Sequence, residues 1–169
     1  MTNIFTGEEI QDLEKIVTFF NESICKSENI DSVDVDECYE QFFIRMHKAA
    51  DSGKIDIQIL HQSQDKLIAD LDKNTVDQIW LRTDRIMGSD TLEALQYRRD
   101  GKFVEFLRAL GQDNENVKDY VELLEIFGIV SPSMLSDPIV NYQEYNIQDK
   151  RMKLMIAVHY LTLNEQNRK

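Results

Sequence analysis

Residues 5–24 read FTGEEIQDLEKIVTFFNESI, and this stretch decides the fold class. Thr6 is a natural helix N-cap, and Glu9 three residues later completes a capping box. Phe5 and Ile10 flank the cap as a hydrophobic staple. Ile10, Leu13, Val17, Phe20 and Ile24 then recur at three- and four-residue spacing, and Ile16 and Phe19 widen the stripe. That period is helical and amphipathic.

The same pattern extends along the chain. Val35, Cys38, Tyr39, Phe42, Met46, Ala49 and Ala50 share a second face, which Gly53 closes. Ile55, Ile57 and Ile59 alternate as in a strand, while Ile57, Leu60, Leu67, Ile68 and Leu71 follow helical spacing. A lone strand needs a partner, so the expectation is a helix capped by Asp56 and running through Leu71. Asn74 or Thr75 is expected to start a helix carrying Val76, Ile79, Trp80, Thr83, Ile86 and Met87 as far as Gly88. Ser89 is read as the cap of another helix, with Leu92 and Leu95. Gly101 breaks or kinks it within the polar knot Tyr97-Arg98-Arg99-Asp100-Gly101. Phe103, Phe106, Leu107 and Leu110 lead to Gly111. Val117, Tyr120, Val121, Leu124 and Phe127 make a helix from about Asn114 to Gly128. Ser131-Pro132 opens a short turn, and 139–147 is irregular. With only 6 Gly and 2 Pro in 169 residues, little of the chain is obliged to turn. The expected architecture is all-α: one domain over 1–169, an irregular bundle of about seven or eight helices.

The last helix, from about Gln148 to Asn164, is different. Met152, Leu154, Met155, Ile156, Val158, Tyr160, Leu161 and Leu163 leave almost no polar face. Such a helix is central in a bundle or lies in an oligomer interface. Central burial is the expectation, and a homodimer through this helix is the other outcome. The mostly apolar run at 154–163 is too short to span a bilayer.

Chemistry leaves little trace. His47, His61 and His159 belong to no metal-binding spacing, and His159 reads as a hydrogen-bonded core residue. Cys25 and Cys38 lie 13 residues apart and each fits an apolar stripe. They read as separate buried thiols, with neither a disulfide framework nor a zinc site. The acids Glu28, Asp31, Asp34, Asp36, Glu37 and Glu40 lack the alternating ligands and glycine of a calcium loop. No glycine-rich phosphate loop or GxSxG occurs, so neither a cofactor nor a metal is expected and the reading points away from an enzyme. The N-terminus lacks a basic region followed by an apolar run, which makes the reducing cytoplasm the expected location.

The charge map is the most informative feature. The net charge is −12. Residues 1–81 hold 17 acids against 7 bases, and 109–149 hold 8 against 1. Residues 82–108 are mildly basic through Arg82, Arg85, Arg98, Arg99, Lys102 and Arg108, and the C-terminus is basic again. Either these stretches neutralise one another within the fold, or they form surfaces. The leading expectation is a protein-binding module, acting as inhibitor, immunity-type protein, adaptor or regulator on a basic partner. Its acids would include Asp34, Asp36, Glu37 and Glu40, with Glu8, Asp12, Glu22, Asp70 and Asp77 also facing outward. The alternative is a nucleic-acid or nucleotide binder that uses the six cations of 82–108.

Overall fold

The computed structural model describes residues 1, 3–28, 30, 34–52, 56–87, 90–128 and 145–168, with backbone only at 50–52, 85–87 and 90–93. The expected turn at Ser131-Pro132 and most of 139–147 lie outside these residues. Seven helices are present among them: α1 Gly7–Ser27, α2 Val35–Ser52, α3 His61–Asp70, α4 Lys73–Ile79, α5 Lys102–Gly111, α6 Glu115–Phe127 and α7 Lys150–Gln166. Two strands, β1 Trp80–Met87 and β2 Asp90–Tyr97, separate α4 from α5.

Helix α1 starts as its sequence predicts. The Thr6 side chain accepts from the Glu9 amide at 3.2 Å, and the Glu9 carboxylate accepts from the Thr6 amide at 2.7 Å. Phe5, Leu13, Ile16, Phe20 and Ile24 are buried. Asn114 caps α6 by accepting from the Val117 amide at 3.1 Å. Gly128 ends that helix at φ +68°, where a Cβ would be strained.

Helix α7 is the centre of the fold. From Leu154 to Glu165 every residue is buried, and α1, α3 and β2 pack against it. Phe42 meets Tyr160 edge-on at 4.7 Å between ring centroids, and Phe20 lies parallel to Tyr160 at 6.0 Å. The circumference over that span is covered by the chain itself, so the homodimer through this helix is not what its apolar surface serves. Several polar groups on and around it have specific partners. Gln64 of α3 donates to the Leu161 carbonyl at 3.0 Å and to Glu165 at 2.9 Å. Asn164 donates to the Ile59 carbonyl at 3.1 Å and to the Gln64 side-chain oxygen at 2.9 Å. Buried amides thus gain the hydrogen bonds they lose with water.

Three expectations need correction. First, residues 80–97 form an antiparallel hairpin and not helices, with Trp80 opposite Tyr97 and Met87 opposite Asp90. The expected helix stop at Gly88 and cap at Ser89 lie outside the described residues. The spacing of Ile79, Trp80, Thr83 and Ile86 matched a helical stripe only by coincidence. An isolated two-stranded sheet is marginal. This one is anchored at its base, where Trp80 Nε1 donates to Thr162 of α7 at 2.8 Å.

Second, residues 56–60 are neither helix nor strand, with Gln58 at φ +60°, and α3 begins at His61. Ile57 and Ile59 point inward and Leu60 outward, so the alternation was the correct signal although no strand pairs with it. Third, Cys25 and Cys38 are joined in a disulfide, with Cα atoms 4.9 Å apart. The bond brings the last turn of α1 against the first turn of α2. Sequence separation alone carries no information about that approach.

Candidate functional site

The four acids expected at the binding surface do not behave alike. Asp34 is exposed and its carboxylate accepts from the Asp36 amide at 3.0 Å, at the entry to α2. Glu37 and Glu40 are exposed on α2. Asp36 is turned toward α7 instead: Lys153 donates to it at 2.8 Å, and Gln148 hydrogen-bonds to it as well. The Lys153 ammonium holds the Asp36 carboxyl below its ordinary range, while partial burial works the other way. This acid ties α2 to α7 and is not part of an outward row.

Asp12 is a second acid that turns inward. It accepts from the Asp72 amide at 2.9 Å and from Lys15 at 2.9 Å, and it is buried. Burial raises its pKa, but these hydrogen bonds outweigh that and leave it lowered. Glu8, Glu22 and Asp70 do face outward, and Asp77 is half-buried beside Lys73 at 3.0 Å.

Among the described side chains, the cations of 82–108 do not form one patch. Lys102 reaches across to Glu9 of α1 at 2.7 Å, and Arg108 pairs with Glu125 of α6 at 2.7 Å. Burial pushes the Glu9 pKa up, and the Lys102 and Thr6 hydrogen bonds overcome it. Leu81 and Arg82 are neighbours on β1 and line different clefts, as alternation along a strand requires. Arg82 stands with Asp65, Glu165 and Arg168, where Arg168 is already bound to Asp65 at 2.5 Å and to Glu165 at 2.7 Å. Only the backbone of Arg85 is described. Arg98 and Arg99 remain at the base of the hairpin, in the turn from β2 to α5.

That turn is built closely. The Arg98 amide donates to the Ile79 carbonyl at 3.0 Å, and Gly101 caps α5. A Cβ at Gly101 would lie 2.3 Å from the Gln78 carbonyl oxygen, so the approach needs glycine. The polar knot 97–101 is therefore a strand-to-helix corner and not a kink in a helix.

Beneath it lies a polar cluster that the sequence did not announce. Tyr120 and Tyr97 are 3.0 Å apart at their hydroxyls, and Tyr120 is 3.0 Å from His159 Nδ1. All three are buried. Burial holds the His159 pKa down at about 3, so the ring is neutral, and it raises both tyrosines. His159 is thus the hydrogen-bonded core histidine expected from sequence.

Among the described residues, no three His, Cys, Asp or Glu side chains converge as a metal set, and no helix is long and apolar enough to cross a membrane. No protein-family model matches this chain, and neither a curated protein nor a solved structure matches it.

Proposed function

We propose that this chain is a non-enzymatic protein-binding module that docks an acidic helical surface onto a basic partner, as an inhibitor, immunity-type protein, adaptor or regulator. One observation carries the reading. Seven of the 19 Lys and Arg residues are paired with acids of the same chain, in Glu9–Lys102, Asp12–Lys15, Glu28–Arg45, Asp36–Lys153, Glu125–Arg108, Asp149–Arg151 and Asp65–Arg168. The excess of acids behind the −12 net charge is left to the surface, with Glu8, Glu22, Asp34, Glu37, Glu40 and Asp70 exposed. A surface with a net excess of acids accelerates encounter with an oppositely charged partner. The Cys25–Cys38 bond supports an oxidising setting for the module rather than the reducing cytoplasm expected from the sequence.

The test begins with a partner recovered from the native source, whose association rate is followed by stopped flow. The rate should fall steeply between about 0.1 M and 1 M salt, as the Debye length shrinks from about 10 Å to about 3 Å. Glu37→Lys with Glu40→Lys should slow association while leaving the circular dichroism melt unchanged. A rate indifferent to both salt and these reversals overturns the reading.

A further inference from the structure

We infer that the corner between β2 and α5 is a binding cleft for a small amphipathic anion: a carboxylate or phosphate carried on an apolar body. This goes beyond the acidic surface and does not depend on it. The cleft has a volume of about 320 Å³ and is lined by Leu81, Gln96, Arg98, Arg99, Phe127 and Gly128, with Tyr97 and Asp100. That volume sits at the low end of the roughly 300–1,000 Å³ range of small-molecule sites, which suits one charged group on a ring-sized body.

Three features of its lining specify the ligand. Among the described side chains of 82–108, Arg98 and Arg99 are not drawn into close ion pairs. Arg98 reaches only Asp100, at 3.8 Å, and Asp100 is 86% exposed, a contact of little strength. Arg99 forms no ion pair among the described residues. In addition, Arg98 Nε is buried and donates to no acceptor among the described residues, and a buried donor left unmet is costly. An oxyanion in the cleft would be held by the two guanidinium groups that line it, because the planar fork fits both carboxylate and phosphate.

The opposite wall is apolar. Phe127 is 51% and Leu81 45% exposed, in a chain whose other large apolar side chains are mostly buried. Aromatic, leucine and arginine side chains around one depression bind a ligand that is apolar at one end and anionic at the other. Gly128 sets the position of Arg99. A Cβ there would lie 2.0 Å from an Arg99 terminal nitrogen, so the missing side chain is the space in which the guanidinium rests.

Phenylacetate, phenyl phosphate and inorganic phosphate should be titrated separately into the ¹⁵N-labelled full chain. Saturable shifts at the amides of Leu81, Arg99 and Gly128 are expected with at least one aromatic anion. Inorganic phosphate, which has no apolar body, should bind at least about tenfold more weakly. Tighter binding of phenylacetate identifies a carboxylate ligand, and tighter binding of phenyl phosphate a phosphorylated one. Arg99→Gln and Arg98→Gln should each weaken binding about tenfold or more, the loss of a charge-assisted hydrogen bond. Gly128→Ala should weaken it with no change of charge, by displacing Arg99. Arg108→Gln, which removes the same charge elsewhere, should leave it unaltered. If Arg98→Gln fails to fold, Arg99→Gln carries the test, because that residue is exposed. The absence of saturable binding by all three anions overturns the inference, and so does unchanged affinity in Arg99→Gln.

Discussion

Replacing His159 should remove a specific part of the protein's dependence on pH. The imidazole is 4% exposed, its Nδ1 faces Tyr120 at 3.0 Å, and burial holds its pKa at about 3 against 6.5 when unfolded. The unfolded chain therefore takes up a proton below about pH 6.5 that the folded chain refuses. Stability must fall as pH drops through that window, because the unfolded state binds more protons. Each pH unit is worth about 1.4 kcal/mol per proton, so the loss from pH 8 to pH 5 is about 2 kcal/mol. Stopping at pH 5 keeps the carboxylates out of the comparison. Glu9, Asp12, Asp36, Asp65 and Asp149 all have lowered pKa values in the fold, and their contributions disappear only at lower pH.

The assay is urea unfolding of wild type and His159→Gln at pH 8 and pH 5. Glutamine still offers a polar group to Tyr120 but does not titrate. The variant should be less stable at both values, yet the difference between them should be about 2 kcal/mol smaller than in wild type. Whatever His47 and His61 contribute is common to both proteins and cancels. Equal pH dependence in the two proteins would refute the burial of a neutral ring at this position.

Further outcomes are expected. Reducing the Cys25–Cys38 bond, or replacing both residues by Ala, should cost about 3 kcal/mol in urea unfolding, the loop entropy for a separation of 13 residues. Free-thiol titration of the unreduced, denatured chain should find none. Leu161→Ala should cost about 2–5 kcal/mol by the same unfolding measurement, because that side chain is fully buried on the central helix. Thr6→Ala should cost about 1 kcal/mol and show as faster amide exchange in the first turn of α1. Asp36→Asn should lose about 1 kcal/mol by weakening the tie to Lys153, while Glu40→Gln changes stability by less than about 0.5 kcal/mol.

Local patterns determined much of this protein from the sequence alone. The capping box of Thr6 and Glu9, the stripe from Leu13 to Ile24, the Asn114 and Gly128 boundaries of α6 and the apolar circumference of α7 are all written in neighbouring residues. They were legible because a helix satisfies its backbone within its own segment, so three- and four-residue spacing is enough to identify it. His159 was legible as a core residue for the same reason.

What the tertiary structure decided depended on partners distant in the chain. The hairpin at 80–97 needs strand pairing across the turn and the anchor from Trp80 to Thr162, and neither appears in a local period. The disulfide needs α1 and α2 to fold back on one another. The sorting of the charges followed from the same cause. Asp36 and Glu37 are adjacent in sequence, but only Asp36 meets a lysine 117 residues away. Arg98 and Lys102 share one corner, but only Lys102 has a buried glutamate 93 residues away within reach. A charge read from the sequence has a sign but no neighbours. Whether it steers a partner, holds a ligand or ties two helices together is settled by the acid or base that the fold places within about 3 Å of it.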